Sequence, residues 1–146
     1  MRRQKTTFHF NEETGFCLCT IKIRGNQYIG VAQCHPDDMD MVNQKTGENI
    51  AYHRAVMEML RDERKRLQHE LAGLKGLYYS MNNSPLFNPK SYEAKSLYRQ
   101  ISFREDDISS VNDLIKEIQR YINGYISDKD EFYQKIRKNR KTEIQG

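Results

Sequence analysis

Four side chains in the first 34 residues carry the chemistry of a metal centre: His9, Cys17, Cys19 and Cys34. Three thiolates and an imidazole are a ligand set for structural zinc. The region is strand-like. Cys17, Cys19, Ile21 and Ile23 alternate with Leu18, Thr20, Lys22 and Arg24, a period of two with one apolar face. A two-residue turn at Gly25 and Asn26 returns the chain through residues 27–34. Paired positions then sum to 51, so Cys17 faces Cys34 and Ile23 faces Tyr28. If Phe10 pairs with Phe16, His9 sits beside Cys17. Spacing argues against an ion. Alternate residues on a strand lie ~6.6–6.8 Å apart, too far for Cys17 and Cys19 to share one easily. Cysteine also behaves as a small core residue. The expectation is a buried core, with no metal and no cofactor.

A second cluster is acidic: Asp37, Asp38 and Asp40, with Glu12 and Glu13 within reach of a folded hairpin. Such carboxylates can hold magnesium in a nuclease. They also follow Pro36, where Asp37 or Asp38 caps a short helix, and capping alone accounts for them. No glycine-rich phosphate loop, His-Glu-x-x-His motif or nucleophile elbow occurs. The chain reads as a non-enzyme.

Basic residues concentrate at the two ends: Arg2, Arg3 and Lys5, then Arg137, Lys138, Arg140 and Lys141. Basic ends on a charge-balanced body attract phosphate backbones or acidic protein surfaces. A further candidate contact is aromatic and basic, around Tyr79 and Lys90, and such a tip can stack nucleobases. Tyr78 and Phe87 in the same region can instead pack the loop on the helix ends.

The elements that position these residues follow from periodicity. A strand over residues 7–10 joins residues 16–24 and 27–34 in a three-stranded antiparallel sheet. A short helix follows, broken at Thr46 and Gly47. Ile50, His53, Met57, Leu60, Arg64, Leu67, Leu71, Leu74, Tyr78 and Met81 then alternate by three and four, a heptad seam. Residues 82–90 hold two prolines and three asparagines and form a loop, after which Ser91 caps a second helix. Ala94, Leu97, Ile101, Arg104, Ile108, Val111, Ile115, Ile118, Ile122 and Tyr125 repeat the spacing. Two such helices fold back as an antiparallel pair of arms, each roughly 50 Å long. Centred near Leu86, that turn sets Arg64 opposite Ile108 and Arg104 opposite Gln68, with Glu63, Glu105 or Asp106 as acids in reach. Past Asn123 and Gly124, a C-terminal helix with Ile126, Phe132, Tyr133 and Ile136 docks on the sheet or on a second copy. A homodimer is one assembly that stripe supports.

The expected fold is therefore α+β: a three-stranded antiparallel sheet, a short helix, and a long antiparallel coiled-coil helical hairpin with a C-terminal helix. Residues 1–46 form the sheet region with the short helix and residues 47–146 the hairpin with the C-terminal helix, as one continuous unit. The composition agrees with a helix-rich intracellular chain. Of 146 residues, 30% are charged, mean hydropathy is −0.90, and the net charge is +4. No run reaches the ~18 apolar residues of a membrane span. Three cysteines cannot close a disulfide set, which favours a reducing compartment.

Three segments bear a resemblance together: Gly30 to Asp38 (Gly-Val-Ala-Gln-Cys-His-Pro-Asp-Asp), Tyr78 to Asn82 (Tyr-Tyr-Ser-Met-Asn), and Phe87 to Glu93 (Phe-Asn-Pro-Lys-Ser-Tyr-Glu). Through them the chain resembles a family of small, mostly uncharacterised proteins of phages and prophages of Gram-positive bacteria, over about residues 7–137. The resemblance implies an accessory role in the host cytoplasm, with no catalytic residues to carry over. Proteins of that kind often block host defence, CRISPR nucleases included, by binding a host protein or ribonucleoprotein. Nucleic-acid binding through the basic ends is the alternative.

Overall fold

The computed structural model describes residues 4–33 and 41–145, with side chains over 4–33 and 44–124. Strands β1 (Lys5–Asn11), β2 (Phe16–Ile23) and β3 (Asn26–Gln33) precede helices α1 (Met41–Asn82) and α2 (Tyr92–Gln145). The strands form one antiparallel sheet in the order β1-β2-β3, so the protein is α+β.

Turn chemistry sets both registers, and both differ from expectation. In the first hairpin, Asn11 Oδ1 accepts hydrogen bonds from the backbone N–H of Glu13 (2.9 Å) and Thr14 (3.3 Å). The N–H of Gly15, at φ +72°, returns to the Asn11 carbonyl at 2.8 Å. This four-residue loop closes on Asn11 and Phe16, so Phe10 faces Cys17 and His9 faces Leu18. A slip of one residue exchanges the two faces of a strand. It turns Phe10 toward the core and His9 away from the thiols.

In the second hairpin the central residues are Arg24 (φ +53°) and Gly25 (φ +78°), not Gly25 and Asn26. Two left-handed residues make a type I′ turn, whose twist matches the flanking strands and which takes glycine second. Ile23 therefore pairs with Asn26, Tyr28 with Ile21, and Cys17 with Ala32 rather than Cys34.

One sheet face carries the core. Cys17, Cys19, Ile21 and Ala32 pack with Ile50, Ala51, Ala55, Met57 and Ile122. The helix approaches most closely at Gly30. A Cβ there would lie 1.9 Å from the Ala51 carbonyl oxygen and 2.4 Å from the Ala55 nitrogen. Glycine below and alanines above let α1 lie directly on β3.

Both helices run on where the sequence predicts breaks. Thr46 and Gly47 lie inside the 42-residue α1, so no separate short helix ends there. A mid-helix glycine costs ~1 kcal/mol. Buried Gly47 shares a face with buried Ile50 and Ala51, and that packing offsets the cost. Likewise Asn123 and Gly124 lie inside the 54-residue α2, so the C-terminal helix is its continuation.

Contacts between the helices run antiparallel. Asn49 donates to the Tyr121 hydroxyl, Arg64 to Asn112 Oδ1 at 2.9 Å, and Arg104 to Glu70 at 2.9 Å. Arg64 thus bonds Asn112 and Arg104 bonds Glu70, so neither takes an acid the sequence suggested. Every seam position from Ile50 to Met81 and from Ala94 to Ile122 is buried or half-buried.

Candidate interaction surface

Of the four residues weighed as metal ligands, the three described, His9, Cys17 and Cys19, do not converge. Cys17 and Cys19 are fully buried under α1, whereas His9 is exposed on the opposite sheet face. Burial pushes the Cys19 thiol above its usual range, so it stays protonated, and the thiolate is the form that ligates and attacks. Among the described residues, no three His, Cys, Asp or Glu side chains are grouped to hold an ion. Cys34, Asp37, Asp38 and Asp40 lie outside the described residues.

His53 sits on the seam. Its Nδ1 is 2.8 Å from the Asn49 carbonyl, and its ring packs against Tyr52 and Tyr121. That is a structural role. Charged pairs line the outer helix faces: Arg61 with Glu58, Arg66 with Glu63 and Glu70, Lys75 with Glu105. All are solvent-exposed enough to contribute only ~0–1 kcal/mol each.

The far end of the helices is different. Tyr78 packs edge-on to Phe87 and against Tyr98, with ring centroids 6.0 and 6.2 Å away, which fastens the loop to both helices. Ser91 caps α2 as predicted, its Oγ accepting the Ala94 N–H at 3.2 Å. Around this packed base, large apolar side chains face solvent: Leu77 (61% exposed), Tyr79 (69%), Leu86 (91%), Tyr92 (82%) and Tyr98 (65%). No Asp or Glu occurs from Leu71 to Tyr92, where the charged residues are Lys75 and Lys90. The sequence pointed to Tyr79 and Lys90 but not to Leu77, Leu86, Tyr92 and Tyr98, which the structure also exposes. The signal was their position off the heptad seam.

Lys5 opens β1 and is exposed. Arg2 and Arg3 lie outside the described residues. Arg137, Lys138, Arg140 and Lys141 fall on the backbone of α2 where side chains are not described.

A second concave region follows the outer edge of β3. A cleft of about 270 Å³ is lined by Ile29, Val31, Arg54, Met57 and Ile122 among others. A cleft of about 430 Å³ continues it toward the hairpin turn, sharing Glu58 and Arg61. No described helix is long and apolar enough to cross a membrane. No protein-family model, curated protein or solved structure matches the chain.

Proposed function

We propose that this chain is a non-catalytic interaction protein, a phage-type accessory factor that binds a host protein or ribonucleoprotein and inhibits or redirects it. The two helices act as an antiparallel coiled-coil arm, and the arm presents its tip. The observation that carries this reading is the exposure of Leu77, Tyr79, Leu86, Tyr92 and Tyr98 around a packed base. Exposed apolar clusters mark interaction sites, and tyrosine supplies large contact area at low entropic cost. The phage origin, the host cytoplasm and a CRISPR or other defence nuclease as target rest on the family resemblance.

The second reading, direct nucleic-acid binding, is favoured by Lys90 between exposed aromatics in a stretch without carboxylates. One experiment separates the two. Tagged chain is recovered from infected host lysate with and without nuclease, beside the Tyr79→Ser, Leu86→Ser double variant. Capture of a partner that survives nuclease and is lost in the variant supports the first reading. Loss on nuclease treatment, with binding that weakens steeply as salt rises, supports the second. Undiminished capture by the variant removes the tip from both.

A further inference from the structure

Among the described residues, no strand pairs with the outer edge of β3. Ile23 and Asn26 close a two-residue turn, and such a closing pair exchanges both of its bonds. Alternation then directs Tyr28, Gly30 and Ala32 at β2, and the N–H and C=O groups of Gln27, Ile29 and Val31 outward. The Val31 carbonyl bears this out, since it accepts a bond from Arg54 Nη1 at 2.7 Å across the outer edge.

Above that edge the helix layer is wider than the sheet. α1 lies on β2 and β3, and α2 packs on α1 and reaches the sheet core through Ile122. Helices pack ~8–10 Å apart and strands ~4.8 Å apart, so α2 overhangs the space where a fourth strand would run. The cleft is lined by Gln119 and Ile122 of α2, Met57 of α1 and the edge of β3 over residues 29–31, whose Ile29 and Val31 side chains lie on the sheet face away from the core. Ile29 and Val31 are 46% and 42% exposed.

Charge selects the occupant. Along the two joined clefts, Glu58 is paired with Arg61 at 2.6 Å, and Asp62 accepts the Tyr28 hydroxyl. Arg54 and Lys65 have no carboxylate partner among the described residues. The two clefts are thus lined by three cations (Arg54, Arg61, Lys65) against two carboxylates (Glu58, Asp62), a net charge of +1, and Arg54 already covers the Val31 carbonyl.

We infer that the β3 edge is a second binding site, separate from the arm tip, which takes an extended acidic peptide segment of a partner protein as a fourth strand. Alternate apolar side chains of the segment enter beneath α2, its carboxylates meet Lys65 and draw Arg54 off the Val31 carbonyl, and its backbone then pairs with Ile29 and Val31. This is strand addition, where main-chain bonds supply affinity and pockets supply selectivity.

The test uses the full chain, isotope-labelled, and two synthetic peptides: Ser-Glu-Val-Glu-Ile-Asp-Val-Gly and its counterpart with lysine at each acidic position. The acidic peptide is expected to bind, to shift the Ile29 and Val31 amides, and to slow their hydrogen exchange at least tenfold. Ile29→Pro removes only an outward N–H, which an edge strand tolerates. It is expected to stay folded by amide spectrum and to lose the peptide, while Arg54→Gln, Lys65→Gln weakens binding several-fold. The tip variant Tyr79→Ser, Leu86→Ser should bind the peptide normally. Absence of binding at millimolar peptide, equal binding of the lysine peptide, or binding unchanged in Ile29→Pro overturns the inference. So does a concentration-dependent dimer that Ile29→Pro dissociates, which would assign the edge to a second copy.

Discussion

Replacing Gly30 with alanine tests how α1 is seated. The new Cβ would stand 1.9 Å from the Ala51 oxygen and 2.4 Å from the Ala55 nitrogen. Both are backbone atoms of a packed helix, so no side chain can rotate aside. The helix must retreat by about 1 Å, and a gap of that size forfeits up to about half of the dispersion attraction across the contact. The atoms that lose it belong to Cys19, Ile21, Ala51 and Ala55, all fully buried. Overpacking of this kind costs ~1–3 kcal/mol, and the rigid neighbours put it at the upper end. Alanine recovers ~0.5–1 kcal/mol over glycine in the strand. The net expectation is a loss of ~2 kcal/mol, or a fall in Tm of about 6–8 °C for a chain of this size. Thermal unfolding followed by circular dichroism at 222 nm reads it directly. Gly73→Ala and Gly76→Ala are the internal contrast. Both sit in α1 with nothing within 4 Å of an added Cβ, and each is expected to gain ~0.5–1 kcal/mol. A Gly30→Ala protein melting within about 2 °C of the parent would refute the close seating of α1 on β3.

Ser91→Ala should lower stability by ~1 kcal/mol in urea titration through loss of the cap on α2, and Ser91→Asp should retain it. Cys17 and Cys19 should resist a thiol reagent at pH 8 in the folded protein and react once it is unfolded in urea, since both are fully buried. Rapid labelling of either in the native state would show that the sheet core is open. The Tyr28 phenol is held above its ordinary range chiefly by its hydrogen bond to Asp62, so its neutral form is favoured by the fold. That stability is complete below the unfolded tyrosine pKa of ~10 and is lost as pH rises through the higher folded value. Urea midpoints at pH 7 and pH 11 should therefore differ less in Tyr28→Phe than in the parent.

Periodicity made much of this fold legible. The alternation from Cys17 to Ile23 identified β2 and its buried face, because side chains of a strand must point alternately up and down. The spacing from Ile50 to Met81 and from Ala94 to Ile122 picked out positions that are all buried or half-buried for the same kind of reason: 3.6 residues per turn returns one side of a helix to the same direction. Ser91 was readable as a cap from its type and place.

What the chain could not reveal alone was pairing and continuity. Register depended on which residues took left-handed backbone in the turns. Arg24 did, and moving one loop boundary by a residue carried His9 to the far side of the sheet from Cys17. Gly47 and Gly124 read locally as breaks, yet a break is a small local cost that burial elsewhere on the helix can override. Gly30 carried no local sign that a helix backbone would rest on it. The candidate surfaces divide the same way. Tyr79 and Lys90 were visible as residue types, but the exposure of Leu86 and Tyr92 became apparent only once Tyr78 and Phe87 had claimed the packed interior of the tip. The β3 groove exists because α2 overhangs a sheet one strand too narrow, and the relative width of two layers is a property that no linear pattern encodes.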